Sequence, residues 1–166
     1  DAMAGAFSDQ NDISTLLGRY DEALGYLDRA QPAAESVGNW GMVWITLLSR
    51  REVYLQRGQP ELMFPVFEEM LAMSRRVSNF RLECWTLGWD SIYALRYHST
   101  ERALFKRQAA MLVADEFGLE YDRAWSALEL GDIYRLMGDA EAARRWYGVA
   151  LSRFEQQHHD MGLAFY

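Results

Sequence analysis

The chain is poor in cysteine and proline, and it has no long apolar run. Its single cysteine, Cys84, excludes an internal disulfide and a zinc site built from several cysteines. No run approaches the roughly 18 apolar residues of a membrane span, and no signal peptide opens the sequence. With 17 basic and 24 acidic residues the net charge is −7, which argues against a surface that coats nucleic acid. We therefore expect a cytoplasmic protein, with no membrane association and no nucleic acid bound by this segment.

The sequence also lacks the motifs of common catalytic and cofactor sites. Lys106 follows no glycine-rich loop, and neither G-x-S-x-G nor H-E-x-x-H occurs. The run His158-His159-Asp160 is better explained as a solvated turn than as a metal site, because consecutive side chains diverge. Cys84 is expected to be a buried, inert thiol. We predict a protein that is not an enzyme and that holds no cofactor and no metal.

A repeat with a period of about 40 residues is the strongest pattern that is present. Half of the residues are hydrophobic and six are tryptophan, so a packed core is expected. Displaced by one period, the chain matches itself in columns of similar residues. These columns are Gly18, Gly58, His98 and Gly138; Ala23, Met63, Ala103 and Ala143; Leu27, Phe67, Arg107 and Tyr147; Ala30, Met70, Ala110 and Ala150; and, in a second series, Ile45, Trp85, Trp125 and Phe165. Their constant register indicates four structural repeats.

Each repeat is predicted to form two helices, because apolar residues recur at spacings of three and four and no segment alternates with period two. The predicted helices span residues 7–17, 20–37, 41–57, 60–77, 81–97, 100–117, 121–137 and 140–157, and a ninth begins at about 161. Gly38, Gly118 and Gly138 are expected to end helices, since glycine adopts the left-handed conformation found there. Asp139 then suits the N-cap of the next helix.

Two prolines conflict with this assignment. Pro32 and Pro65 fall inside predicted helices, where proline costs about 3 kcal/mol or kinks the axis. Either the helix at 20–37 bends at Pro32 or it is two pieces, and the helix after Pro60 could begin near Pro65.

The fourth repeat carries the most regular motif. It reads Ala127-x2-Leu130-Gly131-x2-Tyr134, then Gly138 and Ala143-x3-Tyr147-x2-Ala150. This motif resembles the tetratricopeptide repeat (TPR), a pair of antiparallel helices, with Ala127 in place of the family's tryptophan. The first repeat keeps only the second half of the motif, and the middle two depart from it. The longer unit is similar to the arrays of large bacterial regulators of the LuxR and STAND type. A HEAT-like array, whose unit has a similar length, is the alternative.

The resemblance implies an all-α fold, a right-handed superhelix of antiparallel helix pairs in the manner of a TPR-like solenoid. We expect one repeat domain over residues 1–166, with repeats at 1–39, 40–79, 80–119 and 120–160, the start of a fifth, and a longer parent protein. The concave face of such an array binds protein segments. We therefore predict a protein-interaction module of a signalling or transcription regulator. The alternative is a sensor of a peptide or a small ligand.

The first helix of each repeat is expected to line the concave face. The residues predicted to contact a partner there are Trp85, Arg96, Trp125, Leu128, Asp132 and Arg135. The tryptophans would serve as anchors, because Trp and Arg dominate the energetics of interfaces, and an arginine could hold a carboxylate through two hydrogen bonds. The alternative is that both tryptophans pack as core between neighbouring helices.

Two further expectations concern charge and the end of the chain. Arg50 and Asp90 share a column with the apolar Leu130, so we expect them to pair with one another, since an unpaired buried charge is costly. The segment from Met161 to Tyr166 is too short to cap the fourth repeat as a helix, so we expect self-association through the C-terminal end.

Overall fold

The described part of the chain is built from helices and short turns. A computed structural model describes the backbone of residues 14–163 and the side chains of residues 14–157, and it contains no strand within that range. Residues 14–16 are helical, and the rest of the predicted helix at 7–17 lies outside the described residues. The helices that follow are α1 (Tyr20–Ser36), α2 (Trp40–Gln56), a 3-10 turn (Pro60–Leu62), α3 (Met63–Arg76), α4 (Phe80–Tyr97), α5 (Thr100–Glu116), α6 (Glu120–Leu136) and α7 (Ala140–Leu163). The all-α fold class is confirmed.

The breaks between helices recur at half the period seen in the sequence. Glycines at five of these breaks have a positive φ, namely Gly18, Gly38, Gly58, Gly118 and Gly138. Gly138, at φ 82°, ends α6 as predicted, because a Cβ would strain the left-handed backbone there. The predicted N-cap is confirmed as well, since Asp139 Oδ1 accepts a hydrogen bond from the Ala142 amide at 2.9 Å.

The prolines fit the helices in different ways. Helix α1 continues through Pro32, so the prediction of two separate pieces is wrong. Pro65 lies in the first turn of α3, which begins at Met63 after the 3-10 turn. Proline is tolerated in a first turn because the amides there have no partner within the helix. The proposed start of this helix near Pro65 is therefore confirmed.

The C-terminal helix is longer than predicted. Helix α7 runs without interruption from Ala140 to Leu163, so the predicted end at 157 and the new start at about 161 are wrong. His158, His159 and Asp160 lie within this helix and not in a turn. The physical reason is local: between Gly148 and Gly162 the sequence contains no glycine or proline to end the helix. The predicted contribution of Phe165 falls outside the described residues.

The chain divides into two compact units at the boundary between the second and third predicted repeats. The N-terminal unit is Asp1–Ser78 and the C-terminal unit is Asn79–Tyr166. Within each unit, every helix packs against the next one along the chain. The core of the N-terminal unit includes Leu27, Val43, Leu47, Val53, Met63, Phe67 and Met70. The core of the C-terminal unit combines Leu130 with many alanines, including Ala94, Ala103, Ala110, Ala114, Ala124, Ala127 and Ala150. No helix among the described residues is long and apolar enough to cross a membrane.

Two of the repeat columns mark the buried face of the second helices. All members of the two columns of small or apolar residues are buried, from Ala23 to Ala143 and from Ala30 to Ala150. These short or flexible side chains let adjacent helices approach closely.

The predicted pairing of Arg50 with Asp90 is replaced by a partner within each residue's own unit. Arg50 binds Asp28 at 2.9 Å and is only partly buried. Asp90 is fully buried, accepts two hydrogen bonds from Arg102 at 2.9 and 2.8 Å, and pairs with Lys106 at 2.9 Å. The shared column correctly predicted the equivalent positions of these two side chains along their helices. Each one pairs with an opposite charge on the neighbouring helix of its own unit.

Candidate functional site

A pocket walled by aromatic rings lies in the C-terminal unit between α4 and α6. It has a volume of about 210 Å³. Trp85 and Trp89 of α4 form one wall, and Tyr121 and Trp125 of α6 form another. Both pairs are four residues apart, a spacing that places two side chains on the same face of a helix. Helix α5, which follows α4 in the chain, contributes Arg107 to the lining.

The two tryptophans of the repeat column are held in place although they are exposed. Trp85 is 42% exposed, and its indole Nε1 donates a hydrogen bond to Asp122 Oδ1 at 2.8 Å. Trp125 is 41% exposed and meets the ring of Phe154 edge to face, with centroids 5.5 Å apart. Each ring therefore contacts a neighbouring helix, and neither is buried in the core. They are anchored rings with a surface open to solvent.

A buried ion pair lies behind these rings. Arg107 is 5% exposed, its Nη2 donates a hydrogen bond to the Gly88 carbonyl at 2.7 Å, and the same nitrogen pairs with Glu129. A Cβ at position 88 would lie 2.9 Å from Arg107 Nη1, so glycine makes the room that the guanidinium needs. In the other repeats this column holds Leu27, Phe67 and Tyr147. The third repeat thus replaces a core side chain with a charge at the pocket.

Burial shifts the pKa values of the groups in this region. Removal from water lowers the pKa of Arg107, and the charge of Glu129 opposes that shift. Burial likewise raises the pKa of Glu129, and Arg107 opposes it. Burial, reinforced by the negative charge of Asp122, raises the pKa of the Cys84 thiol to about 12. Cys84 is buried and donates its S–H to the Ala110 carbonyl at 3.5 Å, as expected for an inert thiol.

The charges that line the pocket sum to one excess negative charge. Asp122 and Glu129 contribute carboxylates, and Arg107 contributes the one cation. Glu129 is neutralised by Arg107. Asp122 accepts the hydrogen bond from Trp85 and pairs with no cation among residues 14–157. Its carboxylate therefore has no counter-ion among the described side chains, and it lies in the first turn of α6, where the helix N-terminus favours a negative charge.

The six residues predicted to contact a partner fall into two groups. Trp85 and Trp125 line the pocket, whereas the lining does not include Arg96, Asp132 or Arg135. Arg96 and Arg135 follow the two tryptophans by ten or eleven residues, which is roughly 15 Å along a helix. The guanidinium of Arg96 lies over the ring of Tyr97 at 5.3 Å. Their part in binding stays a prediction.

The other predicted contacts are engaged within the C-terminal unit. Asp132 accepts a hydrogen bond from the Tyr147 hydroxyl at 2.8 Å and lies 3.5 Å from Arg135. Arg135 Nε donates to the same hydroxyl at 3.3 Å. Leu128 is partly buried and packs against the core cluster that contains Met111 and Leu130. These side chains form the surface further along α6 from the pocket.

Sequence reasoning missed five aromatic or charged residues of the pocket lining. They are Trp89, Arg107, Tyr121, Asp122 and Glu129. The spacing of four residues from Trp85 to Trp89 and from Tyr121 to Trp125 was a usable signal, because it occurs on two helices and each pair includes a tryptophan of the repeat column. The second signal was the charge of Arg107 in a repeat column whose other members are large and mostly apolar side chains. No group of three or more His, Cys, Asp or Glu side chains suited to a metal occurs in the part of the chain that the structure describes.

The fold is an all-α helical repeat, and comparison with known proteins gives it structural neighbours. No family model matches the sequence, and no curated protein does. The structure is similar to a STAND protein with a tetratricopeptide repeat sensor, PH0952 from Pyrococcus horikoshii, with a TM-score of 0.78 and 16% identity over 97% of this chain. It is also similar to BtubC (BKLC) from P. vanneervenii, with a TM-score of 0.74 and 16% identity over 93% of this chain. This chain spans 25% of the first protein and 64% of the second, and at this identity the likeness shows the fold alone.

Proposed function

We propose that this chain is a protein-interaction module of the TPR-like type, part of a larger signalling or transcription regulator, and that the aromatic pocket receives part of a partner protein. The observation that carries the proposal is a cluster of anchored yet exposed rings, Trp85, Tyr121 and Trp125, around one concavity. Exposed aromatic groups that are already fixed lose little conformational entropy on binding, and Trp, Tyr and Arg are the residues enriched in interface hot spots.

The size of the pocket favours a protruding side chain over a free metabolite. Its volume of about 210 Å³ is below the roughly 300–1,000 Å³ of small-molecule sites. A side chain needs only a small recess, because the backbone on either side adds contacts outside it. We assign no catalytic role to the chain, and the protonated Cys84 thiol supplies no nucleophile to the pocket.

A peptide-display selection against this chain tests the proposal. Binding of the enriched peptides would be measured by fluorescence polarisation for the native chain, for Trp125→Ala and for the control Phe105→Ala. Phe105 is 67% exposed on α5 and is not part of the pocket lining. We expect Trp125→Ala to weaken binding by about tenfold or more, and Phe105→Ala to leave it unchanged.

Melting temperatures complete the experiment. Because Trp125 is partly exposed, its loss should change the melting temperature little. Peptides that bind equally well to both variants would show that the partner surface lies elsewhere, and a selection that enriches nothing would contradict the proposed function.

A sensor for a small ligand is the second candidate, and the enclosed Arg107–Glu129 pair favours it, because buried polar groups give a small-molecule site its specificity. The protein of P. horikoshii that shares this fold is described as having a repeat sensor. Thermal-shift screening with metabolites separates the two candidates: stabilisation that Trp125→Ala abolishes, without any peptide bound, would favour the sensor.

A further inference from the structure

We infer that the aromatic pocket recognises a cationic side chain of the partner, with arginine preferred. This inference rests on the proposed function and specifies the chemistry of the group that enters the pocket. Three observations carry it: an excess negative charge in the lining, a wall of indole rings, and the same kind of contact elsewhere in this protein.

The charge comes from Asp122. Its carboxylate lies at the pocket beside Trp85, and no cation among residues 14–157 pairs with it. Arg107, the pocket's own cation, is neutralised by Glu129 and donates to the Gly88 carbonyl, so it does not compensate Asp122. An incoming cation would gain a carboxylate that the protein leaves without a counter-ion. An incoming anion would meet that carboxylate and a guanidinium that is already engaged.

The rings supply the second interaction. Indole is the aromatic group that attracts a cation best, and three of the pocket residues are tryptophan, namely Trp85, Trp89 and Trp125. The hydrogen bond from Trp85 to Asp122 fixes a ring and a carboxylate next to one another. A planar guanidinium can lie on the ring and donate to the carboxylate together, which a compact ammonium does less well. Arginine should therefore bind more tightly than lysine.

The N-terminal unit contains this contact in its own packing. There the guanidinium carbon of Arg76 lies 4.3 Å from the centre of the Trp40 ring. The pocket of the C-terminal unit offers indole rings of the same kind beside an uncompensated carboxylate, so an arginine of the partner can make the equivalent contact there. The net charge of −7 adds a long-range attraction for a basic segment.

A titration with a single amino-acid derivative tests the inference directly. N-acetyl-argininamide would be added to the nitrogen-15-labelled chain while the indole N–H signals are followed by NMR. N-acetyl-citrullinamide is the matched neutral probe, because a urea group replaces the guanidinium at nearly the same shape. We expect the arginine derivative to shift the signals of Trp85 and Trp125 saturably and to bind about tenfold more tightly than the citrulline derivative. The signal of Trp44, which is buried in the N-terminal unit, should not move.

Two isosteric variants locate the charge. Asp122→Asn keeps an oxygen that can accept from Trp85 and removes the carboxylate, so we expect about threefold weaker binding of N-acetyl-argininamide. Glu116→Gln removes an exposed carboxylate from the same unit outside the pocket lining and should have no effect. Added salt should weaken binding to the native chain more than binding to Asp122→Asn.

The possible outcomes separate this inference from the proposed function. Equal binding of the two derivatives, tighter binding of N-acetyl-glutamate, or no shift up to the solubility limit would overturn the recognition of a cation. In each case the protein-interaction proposal would still stand if display-selected peptides bind through Trp125. Binding of N-acetyl-argininamide with no selected peptide would instead retain the cation site and contradict the proposed function.

Discussion

The two units bury different kinds of side chain at equivalent positions. In the N-terminal unit the large-residue column holds Leu27 and Phe67, both in the core, and the pair of Arg50 with Asp28 is at the surface, with Asp28 63% exposed. In the C-terminal unit the same column holds the buried Arg107, and Asp90 is fully buried between two cations. An apolar core stabilises without specifying a partner, whereas buried charges fix the position of groups around a site. This difference supports our proposal that the recognition surface lies on the C-terminal unit.

The two units also differ in the side chains that line their pockets. The N-terminal unit has a pocket of about 190 Å³ that contains no aromatic residue and is lined by side chains such as Val43, Leu47 and Met73. The aromatic pocket of the C-terminal unit is of similar size and has four aromatic residues in its lining. Since the volumes are alike, the chemistry of the walls distinguishes the two pockets.

The largest expected effect comes from the buried acid. Asp90→Asn would remove the buried carboxylate that pairs with Arg102 and Lys106, so we expect the free energy of unfolding to fall by about 3 kcal/mol in urea titrations. The matched change in the N-terminal unit, Asp28→Asn, removes an exposed partner and should cost less than about 1 kcal/mol. Similar losses for the two variants would mean that the units do not differ in how they use charge.

The ion pair at the pocket gives the next effect. Arg107→Met alone leaves Glu129 without its counter-charge and should lower the free energy of unfolding by about 2 kcal/mol. The double variant, Arg107→Met with Glu129→Met, should recover to within about 1 kcal/mol of the native chain, because an apolar pair replaces a buried ion pair at little cost. A double variant no more stable than the single one would show that the pair contributes stability of its own.

Because the pKa of Cys84 is raised, we expect the free energy of unfolding to depend on pH in the alkaline range. Folding raises the pKa of Cys84 from 9.0 to about 12, so above pH 9.0 the unfolded thiol ionises while the folded one does not. Stability from this group is complete below pH 9.0 and is lost as the pH rises towards 12. Between about pH 8 and about pH 10 the native chain should lose about 1 kcal/mol more than Cys84→Ala. Both proteins share every other titrating group, so equal losses would contradict the raised pKa.

The smallest effect concerns the end of the N-terminal unit. Ser78 has φ 52° and is the one residue other than glycine with a positive φ among the described residues. Ser78→Gly should raise the free energy of unfolding by roughly 0.5–1 kcal/mol, because glycine adopts this conformation without strain. His98→Gly is the control: His98 occupies an equivalent break with φ −136° and should gain nothing. A gain at both positions would mean that the effect does not depend on φ.

The helices were predictable because their signals are local. Gly138 and Asp139 mark a helix end and a helix start at adjacent positions, and the three- and four-residue spacing of apolar side chains gives the helical face. Local signals also explain why the predicted end of α7 was wrong. The repeat period placed a break near residue 158, but no glycine or proline in that segment stops the helix.

The candidate site was only half predictable because its parts meet through tertiary packing. Periodicity identified Trp85 and Trp125 as equivalent, and the structure places both at one pocket. It could not show that Arg107 pairs with Glu129, which lies on another helix, or that Asp122 lies under the Trp85 indole. A column of the repeat identifies positions that are equivalent in successive repeats. It does not show which side chains of other helices form ion pairs with them.

The equal spacing of the helix breaks limits how this chain could be altered. Each helix and its turn together occupy half a repeat, so consecutive helices within a unit alternate in direction at a fixed count. Removal of one such step between the two tryptophans would reverse the direction of the helix that follows. The helix that carries Trp125 would then be antiparallel to the helix that carries Trp85 instead of parallel to it. Removal of two steps would leave no helix between the tryptophans, because they are 40 residues apart. A shuffled version of this protein would therefore keep its aromatic pocket only when α4, α5 and α6, which all line it, stay together.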